Sequence, residues 1–303
     1  HQEDTEATHD WFQDFYDWQK ETAPESMTIG EVWTSSETAS VYVRDEELDM
    51  VFSFDLAGDL LMAAKFSNGR QFASSIEAEL LNFPEFQMGT FLTNHDQART
   101  MTELSEDYGK AKSAATALLT APGVPFIYYG EEIGMSGGKP DENIRRPMQW
   151  DDSLNAGFSA FTIPWNTPQF DYETKNVMLQ EEDEDSLLNH YRKLVNLRNE
   201  YPALRVGDYT KINSKDLSLY AALRTTEEEK IIILANMSSE PVTDYNLILN
   251  SALFEGSYKV FDLFNGEELK AADIKNEGTE EFFNYIPFET IPPYTTYVLW
   301  LDD

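Results

Sequence analysis

Four short apolar segments alternate with helical segments along the first two thirds of the chain, and this alternation constrains the fold more than any other feature. The apolar segments begin near residues 27, 48, 90 and 124. The last of them, residues 124–129, is apolar on both faces, as expected of a strand covered on both sides of a parallel sheet. Helical spacing of apolar residues intervenes, most clearly between Ala111 and Leu119. The pattern predicts an α/β fold with a parallel sheet.

The character of the sequence changes after about residue 205. A strong amphipathic helix is predicted for residues 185–201, and Pro202 ends it. Short strand-like segments separated by turns then follow at residues 217–223, 230–235, 242–249, 258–261, 282–286 and 295–301. We therefore predict two domains: an α/β domain over residues 1–205 and an antiparallel β-sandwich over residues 206–303.

Polar side chains follow two of the predicted strands at the point where each strand ends. Asn94, His95 and Asp96 follow the strand near residue 90, and Glu31 follows the strand near residue 27. Barrel strands deliver catalytic side chains to an active-site mouth in this way. Each residue alone would more often be structural. Together they form the kind of set that cleaves a glycosidic bond, which requires paired carboxyl groups.

Charge and hydropathy exclude several classes of partner. The chain has 55 acidic and 22 basic residues, a net charge of −33, and such a field repels nucleic acid and anionic membranes. A solvated acidic surface is the simpler explanation, and adaptation to high salt is the alternative. The most apolar stretch, residues 114–129, is broken by Pro122, Gly123 and Pro125. Because a spanning helix needs about 20 uninterrupted apolar residues, no membrane span is expected.

Five motifs resemble those of the α-amylase superfamily, glycoside hydrolase family 13. They are Gly30-Glu31-Val32-Trp33, similar to the end of the family's fifth barrel strand; Phe91-Leu92-Thr93-Asn94-His95-Asp96, similar to the seventh; Pro125-Phe126-Ile127-Tyr128-Tyr129-Gly130-Glu131-Glu132, similar to the eighth; the loop Arg145-Arg146-Pro147-Met148-Gln149-Trp150; and the last barrel helix, Tyr191–Arg198. The resemblance covers nearly the whole chain and implies a (β/α)8 TIM barrel.

The resemblance also implies roles for the residues at the strand ends. Glu31 resembles the general acid/base. Asp96 resembles the carboxylate that binds the sugar hydroxyls and stabilises the oxocarbenium-like transition state, and His95 resembles the histidine that binds the same sugar. Asn94 and Trp33 are expected beside the substrate.

For residues outside the strand ends, a purely structural role is an equal alternative to a role in substrate binding. Arg99 is placed with the substrate-binding residues, where it is expected to hold a carboxylate in position. Arg146 and Trp150 are expected to contact sugar at outer subsites. Glu131 and Glu132 are interpreted as loop ion pairs. The spacing of His and carboxylate residues indicates no metal site and no cofactor in this chain, although the resemblance allows calcium in a complete enzyme.

The sequence departs from the family in one respect. The family's nucleophilic aspartate lies in a Gly-Phe-Arg-x-Asp-type motif on the fourth strand, and the 303 residues contain no such motif. We therefore expect the C-terminal half of a (β/α)8 barrel followed by the β domain. The N-terminal half would come from the same gene product or from a companion chain.

The resemblance implies a secreted, retaining hydrolase of α-1,4-glucosidic bonds in starch or maltodextrins, an α-amylase type. One alternative is an oligosaccharide α-glucosidase or transglycosylase of the same superfamily. Another is a non-catalytic glucan-binding or scaffold protein. The Val32-Trp33 pair after Glu31 favours an amylase, and the joint presence of Glu31, His95 and Asp96 argues against a non-catalytic protein.

Overall fold

A computed structural model describes residues 4–254, 257–269, 274–275 and 281–302. Four strands form a parallel sheet whose spatial order follows the order of the chain. They are β1 (Ile29–Gly30), β2 (Met50–Phe52), β3 (Met88–Thr90) and β4 (Val124–Pro125). The α/β prediction is confirmed. The strands are shorter than predicted, because regular pairing between neighbouring strands ends after two or three residues. The residues that follow β1 and β3 lie in loops.

Helices connect and cover these strands. They are α1 (Glu6–Thr22), α2 (Ser36–Ala39), α3 (Val41–Arg44), α4 (Phe54–Phe66), α5 (Gly69–Asn82), α6 (Thr100–Glu103), α7 (Tyr108–Thr120), α8 (Asp141–Ile144), α9 (Val177–Glu182), α10 (Leu187–Glu200) and α11 (Pro202–Val206). Side-chain caps define several starts: Ser53 Oγ accepts from Leu56 N, and Asp107 Oδ1 accepts from Gly109 N. In the described part of the chain no helix is long and apolar enough to cross a bilayer.

Helix α5 begins at Gly69, directly after its N-cap residue Asn68. A side chain at position 69 would not fit, because a Cβ atom there would lie 2.2 Å from the backbone nitrogen of Tyr220. The glycine therefore permits the close approach of α5 to a strand of the C-terminal domain, a contact that local periodicity does not report.

The rest of the chain forms two antiparallel sheets. Their strands are β5 (Asp208–Lys211), β6 (Asn213–Ser214), β7 (Leu219–Thr225), β8 (Lys230–Asn236), β9 (Leu247–Asn250), β10 (Ser257–Asp262), β11 (Glu267–Glu268), β12 (Ile274–Lys275), β13 (Phe282–Tyr285) and β14 (Thr296–Asp302). The larger sheet has the order β11-β10-β14-β8-β7-β5, with β12 also paired to β10, and the smaller has the order β13-β9-β6. The sequence pattern does not predict β5 and β6, which are short and mostly polar.

The larger sheet contributes to two cores, because successive side chains along each strand point to opposite faces of the sheet. Ile232 and Leu234 of β8 pack with Leu247 of the smaller sheet, which gives the domain its sandwich core. Ile231 and Ile233, from the same strand, pack instead into the core of the α/β region. The boundary predicted at residue 205 thus falls where a sheet and the helices share one continuous apolar layer.

Two buried arginines bind the C-terminal end of α7. Arg198 Nη1 donates to Leu119 O and to Ala121 O, both at 2.9 Å, and Arg224 Nη1 donates to Thr120 O at 2.7 Å. Desolvation lowers the pKa of Arg198 to about 10, so that it remains charged at neutral pH. The cations therefore stabilise the helix end, where carbonyl groups lack partners within the helix.

Candidate active site

The side chains predicted at the strand ends meet at one edge of the parallel sheet. Glu31 follows β1, and Asn94 and His95 lie beyond β3. All three line one cavity of about 280 Å³, together with Phe52, Phe91, Thr93, Phe126, Ile127 and Tyr128. Because parallel strands share the direction of their carboxyl ends, residues more than sixty positions apart reach the same opening.

An aromatic cluster supports this cavity from the side of the sheet. The Phe52 ring lies edge-on to Phe91 at 5.4 Å and to Phe126 at 4.9 Å between centroids. Phe54 adds a further edge-on contact to Phe91 at 5.1 Å. Edge-to-face packing of this kind gives the polar residues an apolar and sterically defined base.

Asp96 is held by its neighbours on both sides. Its backbone nitrogen donates to Asn94 Oδ1 at 2.9 Å, which forms a tight turn directly after the strand. Its Oδ2 lies 3.5 Å from His95 Nε2, and its Oδ1 lies 2.6 Å from Arg145 Nη2. Arg145 Nε also donates to His95 O at 3.0 Å. Asn94, His95 and Asp96 are thus brought together as predicted, with an arginine that the sequence analysis did not single out.

The two adjacent arginines of the Arg145-Arg146 pair point to different environments. Arg146 donates to Asn143 Oδ1 at 2.8 Å and to the backbone oxygens of Thr167 and Pro168 at 3.1 and 3.3 Å. The guanidinium of Arg146 therefore anchors a loop, and its expected contact with sugar stays a prediction. Arg145 approaches the site instead, and the sequence signal for it was its place in the family-like loop motif at residues 145–150.

Arg99 requires a correction. It is only 1% exposed, and it donates from Nε to Ile144 O and from Nη1 to Tyr129 O, both at 2.7 Å. Its guanidinium lies over the rings of Tyr128 and Tyr129, and burial lowers its pKa. A side chain enclosed in this way does not reach a substrate. Because Ile144 directly precedes Arg145, Arg99 positions the backbone of the loop that pairs with Asp96.

Trp33 lies beside the cavity rather than in its lining. Its ring stacks on Phe54 at 4.7 Å with an angle of 15° between the planes, and the residue is 62% exposed. The outer face of the indole is therefore open to a ligand that extends from the cavity.

Glu131 is a buried acid with two hydroxyl partners rather than part of a loop ion pair. Its two oxygens accept from Thr100 Oγ1 and Tyr191 OH, both at 2.8 Å. Desolvation raises the pKa of Glu131 to about 8, and burial raises the pKa of Glu132 as well. Thr100 Oγ1 is also 3.1 Å from Thr93 Oγ1, a residue of the cavity lining. A chain of hydroxyl contacts therefore connects α10, through Glu131, to the base of the site.

The part of the chain that the structure describes holds no cluster of metal-ligating side chains. Among the residues that the structure describes, no group of three or more His, Cys, Asp or Glu side chains is placed to hold a metal ion. Calcium in the complete enzyme stays a prediction from the family resemblance.

The comparisons with known proteins agree with this architecture. The family model "Alpha amylase, catalytic domain" matches residues 1–207. Alpha-amylase 3 of Dictyoglomus thermophilum is 32% identical over 295 residues, covering 95% of this chain and 54% of its own length. The oligo-1,6-glucosidase of Parageobacillus thermoglucosidasius is 30% identical over 299 residues, covering 80% of this chain and 52% of its own.

Solved structures share the fold. The crystal structure of the α-amylase from H. orenii has a TM-score of 0.77 at 32% identity and covers 98% of this chain and 57% of its own. An isomaltulose synthase from Erwinia rhapontici has a TM-score of 0.70 at 23% identity, a likeness of fold alone. The chain thus spans about half the length of the relatives it matches. With a catalytic-domain match over most of its length, the chain belongs to the α-amylase family, glycoside hydrolase family 13.

Proposed function

We propose that this chain carries the acid/base portion of a retaining α-glucan hydrolase of the α-amylase type, acting on starch or maltodextrins. The observation that carries the proposal is the shared cavity of Glu31, Asn94 and His95, with Asp96 directly beside it. A glycosidase needs a carboxyl group at the leaving oxygen and further polar groups around the ring of the cleaved sugar. A polymer of glucose is too large to cross a membrane unaided, so we place the complete enzyme outside the cell.

Glu31 is assigned the proton transfers. It is exposed at the cavity, where it can protonate the glycosidic oxygen as the bond breaks. In the second step the ionised carboxylate removes a proton from the water that releases the glycosyl intermediate. His95 and Asp96 are assigned to the sugar hydroxyls, and Asp96 stabilises the positive charge that develops on the ring.

The nucleophile is assigned to a part of the protein outside this chain. Retaining chemistry needs two carboxyl groups about 5–5.5 Å apart. Asp96 is already committed to Arg145, and the family resemblance gives it the stabilising role. We propose that four more barrel strands pack against the edge strands β1 and β4 and place an aspartate opposite Glu31. On this proposal, residues 1–303 alone release no reducing sugar from starch, and unaided cleavage by this chain would contradict it.

The second candidate is an oligosaccharide α-glucosidase of the same family. Its support is the 30% identity to an oligo-1,6-glucosidase over 80% of this chain. Incubation of the complete protein with a ladder of maltooligosaccharides separates the two. An amylase produces mixed short oligosaccharides from within the chain, whereas a glucosidase releases glucose from the end. Release of no sugar at all would favour a non-catalytic binding protein.

The direct test of the mechanism is Glu31→Gln in the complete protein. The change removes the proton donor but keeps shape and hydrogen bonding, so turnover of maltoheptaose should fall by roughly 10²–10⁴-fold while affinity stays near that of the parent. Glu25→Gln, at an exposed loop glutamate, is the matched control. Turnover equal to that of the parent would remove Glu31 from the mechanism.

A further inference from the structure

A line of hydrogen-bonded side chains runs from helix α10 to the candidate active site. Glu131 lies at its centre, with Tyr191 OH at 2.8 Å from Oε1 and Thr100 Oγ1 at 2.8 Å from Oε2. Thr100 Oγ1 lies 3.1 Å from Thr93 Oγ1, and Thr93 lines the same cavity as Glu31. We propose that Thr93 contacts the substrate and that Glu131, acting through Thr100, is a positioning residue that sets the direction of the Thr93 hydroxyl group. The inference rests on the proposed function and adds a substrate contact to it.

Burial of the four side chains restricts where each hydrogen can go. Tyr191, Thr100 and Thr93 are each 3% exposed and Glu131 is 4% exposed, so their hydroxyl groups depend on partners within the protein. Within the described ranges of the chain, Glu131 is the only hydrogen-bond partner of Tyr191 OH. Because a buried donor without a partner is costly, the phenol donates to Glu131 Oε1. When Glu131 is neutral, its proton is therefore on Oε2, the oxygen that faces Thr100.

The two protonation states of Glu131 arrange the threonine hydroxyl groups in opposite directions. An ionised carboxylate only accepts, so Thr100 donates to Glu131 Oε2 and Thr93 donates to Thr100. The hydrogen of Thr93 then points away from the cavity. The neutral acid instead donates from Oε2 to Thr100, which in turn donates to Thr93, and the hydrogen of Thr93 is free to point into the cavity.

The direction of this hydroxyl matters because the ring and glycosidic oxygens of a glucan can only accept hydrogen bonds. Thr93 can bind such an oxygen when Glu131 is neutral, and it cannot when Glu131 is ionised. Glu131 itself does not line the cavity, so its influence on the sugar passes through the threonines.

The surroundings of Glu131 bring both protonation states into an accessible pH range. Desolvation raises the pKa of Glu131 to about 8, although the hydrogen bonds from Thr100 and Tyr191 lower it. The charge of Glu132, from the loop after β4, raises this pKa further, and the charge of Arg99, directly before α6, lowers it. Arg99 directs its guanidinium to backbone oxygens and forms no ion pair with Glu131 in the described part of the chain. A buried acid of this kind beside a cavity is typical of a functional group.

The test measures binding of maltoheptaose at pH 6 and pH 9 by the complete protein carrying Glu31→Gln, which binds the ligand without cleaving it. Glu131 is mostly neutral at the lower pH and mostly ionised at the higher one. The dissociation constant should therefore rise by about 3–10-fold between them, the value of one hydrogen bond. Adding Glu131→Gln, which can donate from Nε2 to Thr100 at either pH, should abolish the rise. Adding Glu85→Gln, at an exposed glutamate, is the matched control and should leave the rise in place.

Substitutions of Thr93 in the same Glu31→Gln background show whether the effect passes through its hydroxyl group. Thr93→Val keeps the shape of the side chain but cannot donate. It should weaken binding at pH 6 by about 3–10-fold and remove the dependence on pH. Thr93→Ser keeps the hydroxyl group and should restore both the affinity and its pH dependence. A change that only loosened the fold would lower the melting temperature without this pattern.

A rise in the dissociation constant that persists in Thr93→Val would overturn the inference, because Glu131 would then act through its charge. A rise that persists in Glu131→Gln would overturn it as well, since another group would be titrating. If Glu131→Gln does not fold, the comparison of Thr93→Val with Thr93→Ser decides. Equal binding by the Glu31→Gln protein at the two pH values overturns the inference and leaves the proposed function standing. If that protein binds no maltoheptaose at either pH, the proposed function itself fails.

Discussion

Arg145 and Asp96 form an ion pair across 49 positions of sequence, with Arg145 Nη2 at 2.6 Å from Asp96 Oδ1. The same nitrogen lies 2.9 Å from Asp141 Oδ2, so one guanidinium connects the loop after β3 with the helix α8. The strand end that carries the sugar-binding set is therefore fixed by a loop that begins far beyond β4.

We predict that the ion pair of Arg145 and Asp96 contributes little to the free energy of unfolding. The side chains of Arg145 and Asp96 are 39% and 35% exposed, and partly exposed ion pairs contribute about 0.2–1 kcal/mol. A double-mutant cycle with Arg145→Met and Asp96→Asn, followed by urea unfolding, should give a coupling in that range. Zero coupling, or a value well above that range, would contradict the prediction. The more exposed pair of Arg192 and Glu181 provides the comparison.

We predict that Glu131 makes the protein less stable as the pH rises from 5 to 8. Its pKa is raised from 4.5 to about 8 in the folded state, so the folded protein binds a proton in this window that the unfolded chain has released. Stability contributed by the neutral acid is present at low pH and is lost as the pH approaches 8. Glu131→Gln cannot ionise.

The measurement is the free energy of unfolding in urea at pH 5 and pH 8, for the parent and for Glu131→Gln. The variant should lose less stability between the two pH values than the parent does. Glu85→Gln changes an exposed glutamate and should leave the pH dependence as it is in the parent. Equal losses in the parent and Glu131→Gln would refute the assignment of a buried neutral acid.

We predict that Arg224→Met strongly destabilises the fold. Arg224 is fully buried, and it donates to Thr120 O at 2.7 Å and to Gly207 O at 2.8 Å. Methionine fills similar space but donates nothing, and each buried carbonyl left without a donor costs about 1–3 kcal/mol. Chemical unfolding should show this loss, whereas Arg205→Met, at an exposed arginine that binds Asn199 O, should have little effect. Similar effects of the two changes would argue against the buried contact as the cause.

We predict that salt stabilises this protein. The net charge of −33 places many carboxylates on the surface, and their repulsion acts over about 10 Å at 0.1 M salt but only about 3 Å at 1 M. The melting temperature should therefore be higher at 1 M than at 0.1 M sodium chloride. An unchanged or lower melting temperature at 1 M would show that surface repulsion is a minor factor.

The sequence by itself determined the α/β arrangement, the β domain and the residues at the strand ends. The reason is that helix and strand periodicity are local properties, and that a change from apolar to polar residues marks the end of a buried strand. Glu31, Asn94, His95 and Asp96 were identified on that basis together with the family motifs, and the structure brings Glu31, Asn94 and His95 to one cavity.

Only the tertiary structure decided which cations and acids work together. Two adjacent arginines look alike in sequence, but the path of the loop turns Arg145 to Asp96 and Arg146 to Thr167. Burial, which depends on packing between distant elements, encloses Arg99 and raises the pKa of Glu131. Neither direction nor desolvation of a side chain is encoded by its immediate neighbours, because both arise from segments that meet only after the chain has folded.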